Sequence, residues 1–330
     1  LMSDVTVRNE GIVTVTGGSG PALQTGGTGR RIDIENSGSL TGPVGGSGIA
    51  VAGAESARVV NSGELTAGSG IGVALANSLD LSNSGAIRTS AVEGIGIDVL
   101  NTDIETLTNS GSVITAGANA TGIRVSEYLQ DPFGGIQARI VNEGNISTIG
   151  EQAHGILSAV ADPDSRTELV QSGIIVTAGT TAHGFVAAAG DAVVTNTGGI
   201  GVDGANAAAI FANTQFSGRL MLDNAGTLSA PGIAVSAGAA NDVVGNSGRI
   251  TGDVLLRGGS DTFIARSGGL VDGVVDGGAD TDSLVADFDA GEPLVGDAFV
   301  NFENLRKEGA GILAYSGDLT VDDTLIDAGT

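Results

Sequence analysis

The sequence predicts an all-β fold: a single-stranded right-handed parallel β-helix (a β-solenoid) of about 11–13 coils of 20–33 residues each. Three observations predict it. A short motif recurs at intervals of 20–33 residues, glycine accounts for 56 of the 330 residues, and short runs of alternating β-branched residues lie between the glycines. Repeats of this length belong to proteins in which each unit buries its apolar face against its neighbours.

The recurring motif is Asn-x-Gly, with a branched aliphatic residue two positions before the Asn and another four positions after it. Nine copies carry the Asn anchor, at Asn9, Asn36, Asn61, Asn83, Asn109, Asn142, Asn196, Asn224 and Asn246. Two further copies have Gln171 and Arg266 at the anchor position. Residues two apart on a strand share a face, so each anchor points inward with its aliphatic partner. We therefore predict a structural ladder of buried amides, each donating to one neighbour and accepting from the other.

Two glycine positions mark the corners of each predicted coil. The Gly that follows two positions after the anchor is expected to adopt a positive φ and turn the chain. A second corner is marked by Gly-Ile or a close variant, followed by another alternating strand. These pairs begin at Gly48, Gly70, Gly94, Gly122, Gly155, Gly184, Ala209 and Gly232. The frequent Gly, Ser, Asn and Thr exclude paired helices, and irregular coil lengths favour the right-handed over the left-handed form.

Composition limits the partners. The net charge of −24 argues against binding to nucleic acid or to anionic membrane surfaces. The chain has no Cys, and no run of apolar residues is long enough for a membrane helix. The sequence begins Leu1-Met-Ser-Asp-Val-Thr-Val7, without the basic and apolar segments of a signal peptide. No membrane insertion by this chain is expected.

Two features interrupt the regular repeat. The insertion Ser126–Gly135 carries Tyr128 and Phe133, which are candidate contact residues if the loop is exposed, and a cover for the solenoid wall if it folds back. His154 and His183 lie 29 residues apart, the same interval as Asn142 and Gln171, so they are expected to stack in adjacent coils about 5 Å apart. A metal site there lacks a third ligand, since Ala208 occupies the matching position, and stacked turns are the favoured interpretation.

After about residue 252 the coils become acidic and rich in Gly and Asp. The segment Gly277–Leu284 approaches the Gly-Gly-x-Gly-x-Asp calcium repeat, with Asp280 in place of the third Gly. Candidate calcium ligands are Asp261, Asp280 and Asp282. Calcium sites of this type are shared between consecutive nonapeptides, but the two Asp-rich copies here lie 19 residues apart. Ordinary Asp-rich solenoid turns are therefore the favoured interpretation. No other cofactor is predicted.

The segment Asn301–Thr320 contains Phe302-Glu-Asn-Leu-Arg-Lys-Glu-Gly-Ala-Gly311, followed by a strand and a Ser-Gly turn. This run resembles the end of a type V autotransporter passenger domain, and the upstream repeats are similar to the β-helices of the same family. The resemblance implies a β-helix rod over residues 1–300 and an autochaperone-like cap over 301–330, which assists folding during secretion. The family's membrane β-barrel is absent from this sequence, so a truncated passenger fragment is expected.

The resemblance implies a protein at the surface of a Gram-negative bacterium, exported across the outer membrane. The leading interpretation is a non-enzymatic adhesin or structural rod that contacts a host or matrix protein, a glycan or another cell surface. Two alternatives remain open: a carbohydrate-active β-helix enzyme and a calcium-stabilised, self-associating filament. The enzyme alternative requires carboxylates that converge on one groove, and no such stack of Asp precedes the acidic C-terminal turns.

Overall fold

A computed structural model describes residues 4–127, 135–160, 162, 164–188, 190–212 and 218–329. The chain forms a parallel β-solenoid of about 12 turns, which confirms the predicted fold class and coil number. Every strand pairs in parallel with its equivalents one coil away, so the hydrogen bonds of the sheets run along the solenoid axis. Within the described residues a single short 3₁₀ turn, Gly296–Ala298, is the one helical element. The right-handed sense of the coil stays a prediction.

Three walls build each coil, and the strands of the first wall form a 14-stranded sheet. Those strands are Val5–Asn9, Arg31–Asn36, Ser56–Asn61, Leu79–Asn83, Ile104–Asn109, Gln137–Asn142, Arg166–Gln171, Asp191–Asn196, Leu220–Asn224, Val243–Asn246, Thr262–Arg266, Ser283–Asp287, Asn304–Glu308 and Asp323–Ile326. Along each strand inward apolar residues alternate with mostly polar outward residues, and in the coils up to Asn246 the anchor is the last residue of the strand. This sheet runs past residue 300 without a break, since Ser283–Asp287 pairs with Asn304–Glu308.

The second and third walls share a 21-stranded sheet. The second wall consists of Ile12–Thr14, Ser39–Thr41, Glu64–Ala67, Ala86–Thr89, Ser112–Ala116, Asn145–Ile149, Ile174–Ala178, Gly199–Val202 and Leu270–Asp272. The third consists of Leu23–Gly26, Ser47–Ala52, Ser69–Ala74, Ile97–Leu100, Ile123–Ser126, Ile156–Ala159, Phe185–Ala187, Ile210–Ala212, Val275–Asp276 and Phe299–Val300. Two long strands, Thr227–Ser236 and Arg249–Leu255, run through both walls and join them. Glu292–Val295 and Leu313–Ser316 form a separate pair.

The core is a set of columns of aliphatic side chains that run along the axis. In the first wall Val59 pairs with Leu81, which pairs with Leu107, and all three are fully buried. Each such side chain contributes about 1.5–3 kcal/mol when it leaves water. Because a single strand buries only one narrow face, this gain exists only when coils stack.

The glycines two positions after the anchors serve a purpose other than the predicted one. None of Gly38, Gly63 and Gly111 has a positive φ, so that prediction is wrong. A Cβ at Gly63 would lie well inside van der Waals contact with the carbonyl oxygen of Gly38 in the preceding coil, and the same clash recurs along the column. Glycine is required because the backbones of successive corners approach too closely for any side chain.

The eleventh copy of the motif is shifted by one residue. Asn246 pairs with Ala265 and Val244 pairs with Phe263, so Arg266 does not occupy the anchor position. Phe263 is buried in the core, whereas the predicted inward residue Leu270 is 56% exposed. A shift of one residue reverses the side of every side chain on a strand, which explains why both predicted inward positions of this copy are wrong.

Two predicted second corners are also wrong, at Gly94-Ile95 and at Gly232-Ile233. In the first, Ile71 pairs with Ile97 rather than with Ile95, so the equivalent corner is Gly96-Ile97. At Gly232-Ile233, Ile210 pairs with Val235 rather than with Ile233, and Gly201 pairs with Ser229. Residues 202–209 of one coil therefore face only residues 230–234 of the next. The next coil passes from the second wall to the third as one strand, Thr227–Ser236, and leaves the preceding corner partly uncovered.

Candidate functional site

The anchors form a buried ladder of side-chain amides along the first corner. The Nδ2 of Asn9 donates to Oδ1 of Asn36 at 2.7 Å, and the same bond at the same distance continues through Asn61, Asn83 and Asn109 to Asn142. From Asn36 to Asn246 the anchors are at most 2% exposed. An amide carries both a donor and an acceptor, so identical residues satisfy one another when they stack.

Gln171 divides this ladder into two segments. It accepts from Asn142 Nδ2 at 2.8 Å, but its own Nε2 donates to the carbonyl oxygen of Gly199 at 3.4 Å instead of to Asn196. The Oδ1 of Asn196 is buried and has no hydrogen-bond partner. Beyond it, the ladder resumes from Asn196 through Asn224 to Asn246 with bonds of 2.7 Å. The extra methylene of Gln moves the amide out of line with the column.

A second ladder, of carboxylates, lies just before the first-wall strands of the C-terminal coils. Oδ1 of Asp242 accepts from Leu220 N–H at 2.6 Å, and Oδ1 of Asp261 accepts from Asp242 N–H at 2.7 Å. Asp282 accepts in the same way from Asp261 N–H at 2.8 Å, and Glu303 from Asp282 N–H at 2.7 Å. This ladder was not predicted, because Asp residues spaced about one coil apart also suit metal ligation.

Burial changes the acid strength of these carboxyl groups. The pKa of Asp261 is raised to about 7, chiefly by desolvation and also by the neighbouring carboxylates of Asp242 and Asp282, against the lowering effect of the hydrogen bond from the Asp242 N–H. Desolvation also raises the pKa of Asp242 and of Asp282. The Oδ2 atoms of Asp261 and Asp282 are buried without a partner. A carboxylate is an acceptor only, so each rung depends on a backbone N–H from the adjacent coil.

The three predicted calcium ligands do not converge. Asp261 and Asp282 stack in the buried ladder, whereas Asp280 lies on an exposed turn with φ of +82° and accepts from Gly259 N–H at 3.3 Å. In the part of the chain that the structure describes, no group of three or more His, Cys, Asp or Glu side chains could hold a metal ion. Calcium binding by this segment stays a prediction, and calcium-dependent melting tests it.

The two histidines stack in adjacent coils with ring centroids 5.3 Å apart. His154 Nδ1 accepts from the N–H of His183 at 3.1 Å, and His183 Nδ1 accepts from the N–H of Ala208 at 2.9 Å. Burial lowers the pKa of each histidine to about 4. Both rings are therefore neutral at pH 7, with the Nδ1 lone pair that could bind a metal already used.

The histidine stack ends at a pocket. Phe211 stacks on His183 with ring centroids 4.4 Å apart and an interplanar angle of 16°. Beyond them is a cavity of about 320 Å³, whose lining includes Asn206, Ile233 and Arg257. Sequence reasoning missed this site, because Phe211 is not at a repeat position that matches a histidine. The predicted contact residues Tyr128 and Phe133 lie outside the described residues.

The terminal motif buries several of its side chains in the final coils. Phe302, Leu305 and Lys307 are buried. The ammonium group of Lys307 donates to the carbonyl oxygens of Phe288, Glu308 and Gly309, so it joins two coils at a corner. Gly309 has a φ of +72°. The motif therefore closes the last coils by burying one charge against carbonyl oxygens.

These features define the chain as a parallel β-solenoid with internal polar ladders. No known protein family matches the sequence, and no curated protein is similar to it. A chain in the solved cryo-EM structure of the Vag8–C1 inhibitor complex is similar over 98% of this chain and 99% of that chain, with 15% identity and a TM-score of 0.41. A similarity at this level carries no argument about activity or partners. Among the described residues there is no helix with the length and apolar character needed to cross a bilayer.

Proposed function

We propose that the chain is a non-enzymatic passenger fragment of a type V autotransporter, displayed at or released from the surface of a Gram-negative bacterium. The terminal motif Phe302–Gly311 carries this proposal, because it resembles the end of such passengers and its apolar residues and Lys307 pack inside the final coils. A continuous axial hydrogen-bonded stack supports a stiff rod that holds its side loops away from the cell.

Surface display is tested in the producing bacterium by protease treatment of intact cells. An epitope tag placed in the exposed turn at Gly17-Gly18 is expected to disappear from intact cells at a protease dose that spares a periplasmic marker. A tag that is protected in intact cells and digested only after lysis would contradict display at the surface.

The adhesive role needs a binding measurement on the purified chain. Collagen, fibronectin, laminin and an array of glycans serve as immobilised probes, and the variant to compare lacks the insertion Ser126–Gly135. We expect binding to at least one probe and its loss in the deletion variant. Deletion of the exposed residues 17–19 controls for shortening a surface turn. Equal binding by all three forms would remove Tyr128 and Phe133 as contacts.

The absence of catalysis is part of the same proposal. The surface carboxylates that could act on a glycan are in several places held by arginine, as in the pairs Asp98–Arg124 at 2.7 Å and Asp223–Arg266 at 2.6 Å. Incubation with polygalacturonate, alginate and hyaluronan should release no reducing ends above a boiled control. Release of reducing ends in proportion to protein concentration would establish the enzyme alternative instead.

A further inference from the structure

The pocket beyond Phe211 results from the missing corner in the coil that follows. Residues 202–209 turn outward between the second and third walls, and the next coil passes straight through as Thr227–Ser236. The corner that holds Gly204, Asn206 and Ala208 is therefore not covered by an equivalent corner. Its face opens into the cavity of about 320 Å³, which lies in the size range of small-molecule sites.

One wall of the pocket is the free end of an aromatic stack. His154, His183 and Phe211 are stacked in sequence, with interplanar angles of 13° and 16°. In the third wall the residue that pairs with Phe211 is Ser236, so no fourth ring continues the series. Phe211 is only half-buried and lines the pocket. A flat ring from a ligand can extend the stack, because aromatic faces favour parallel contact with another ring or with the C–H face of a sugar.

Another wall supplies a positive charge. Arg257 is exposed and lines the pocket. Its Nε donates to the Oγ of buried Ser236 at 2.9 Å, and this hydrogen bond orients the guanidinium group. Arg249 and Arg266 in the neighbouring coils form ion pairs with Asp272 and Asp223. Arg257 forms no such pair with a carboxylate in the described part of the chain. A fixed guanidinium group whose outer nitrogens face a cavity suits a carboxylate.

We propose that this pocket binds a six-membered ring that bears a carboxylate, with the ring against Phe211 and the carboxylate on Arg257. Two sources share this chemistry: a uronic acid at the end of an acidic glycan and a benzoate-type aromatic acid. The site stands on its own geometry and does not depend on the proposed surface display, so either proposal can fail without the other.

Ligand-observed NMR titration of the purified chain at pH 7 tests the site with four probes: glucuronate, benzoate, glucose and acetate. Glucuronate or benzoate is expected to bind with a Kd in the millimolar range, and at least about tenfold more tightly than either glucose or acetate. Tighter binding of glucuronate identifies the glycan source, and tighter binding of benzoate identifies the aromatic one. Indistinguishable binding of all four probes would overturn the proposal.

Two substitutions locate the site. Phe211→Leu removes the ring but keeps an apolar side chain, and Arg257→Asn removes the charge with a residue that tolerates the positive φ of this position, +79°. Each is expected to weaken binding of the preferred acid about tenfold or more. Arg88→Gln on the exposed face of a distant second-wall strand is the matched control and should leave binding unchanged. Unchanged binding in both pocket variants, with unchanged melting temperatures, would place the ligand elsewhere.

Discussion

The two buried ladders solve the same stacking problem with different chemistry. In the first ladder, from Asn9 to Asn246, the rungs on either side of the break at Gln171 are amides that bond side chain to side chain. In the second, from Asp242 onward, the carboxylates accept from backbone N–H groups. An amide column is satisfied by repetition of one residue. A carboxylate column leaves one buried oxygen without a partner at Asp261 and again at Asp282. The difference shows that a solenoid can stack identical polar residues freely only when the residue both donates and accepts.

The largest effect is expected from removing one rung of the amide ladder. Asn109→Ala leaves Nδ2 of Asn83 without its acceptor and Oδ1 of Asn142 without its donor, both in the core. Unpaired buried groups cost about 1–3 kcal/mol each, so the free energy of unfolding of these coils should fall by about 2–5 kcal/mol. Urea unfolding followed by hydrogen-exchange mass spectrometry measures this change in the free energy of unfolding. The exposed Asn77→Ala is the control, and an equal effect in both variants would contradict a ladder role.

The carboxylate ladder should make the C-terminal coils sensitive to rising pH. The pKa of Asp261 is raised from 3.8 to about 7, so its folded form holds a proton that the unfolded form has lost. Its contribution to stability is fully present below pH 3.8 and is lost as the pH rises through 7. Between pH 5 and pH 8 we expect a loss of about 2 kcal/mol, seen as faster hydrogen exchange in residues 242–287.

A variant isolates this carboxyl group from the others. Asp261→Asn keeps the shape of the protonated acid and cannot ionise, so it should remove most of the pH dependence of exchange in these coils. Asp289→Asn changes an exposed carboxylate that does not contribute to the raised pKa of Asp261, and it should leave the profile as it is. If Asp261→Asn kept the full dependence on pH, the carboxylate ladder would not be its source.

The histidine coils should respond to pH in the opposite direction. Burial lowers the pKa of His154 and His183 from 6.5 to about 4, so the folded state resists protonation. Their contribution is present above pH 6.5 and is lost as the pH falls toward 4. Exchange in residues 150–188 should therefore rise by about tenfold from pH 7 to pH 4.5 after correction for the intrinsic rate, an effect of about 1–2 kcal/mol. His183→Gln should remove the share of this pH dependence that His183 contributes and leave that of His154, and an unaltered profile would assign the dependence to other groups.

The smallest effect comes from repairing the break in the amide ladder. Gln171→Asn shortens the side chain so that its Nδ2 can donate to the unpartnered Oδ1 of Asn196 and join the two ladder segments. The free energy of unfolding of the central coils is expected to rise by about 1 kcal/mol, which is measured as a higher urea midpoint. Gln24→Asn on an exposed strand position is the matched control. A loss of stability would mean that the bond from Gln171 to Gly199 contributes more than the bond it displaces.

The outcomes for particular residues show what could be predicted. The columns of Val59, Leu81 and Leu107 and the inward direction of the anchors followed from the period of two along a strand. The prediction of Arg266 as an anchor was wrong because similarity to the motif does not determine strand register. Phe263 rather than Ile264 occupies the core column. The glycines after the anchors were predicted to adopt a positive φ, whereas the close approach of successive coils is what requires them. The sequence of a single repeat does not reveal the distance between coils.

The sequence by itself determined the parallel stack, its number of coils and the position of its amide ladder, because each depends on a pattern repeated within every coil. The tertiary structure decided what happens where coils differ in length. Loss of the corner after Ser229 exposes the face of Phe211 and brings Arg257 to the same pocket, although 46 residues separate them. Such a site depends on register between unequal neighbours, which only the packed coils define.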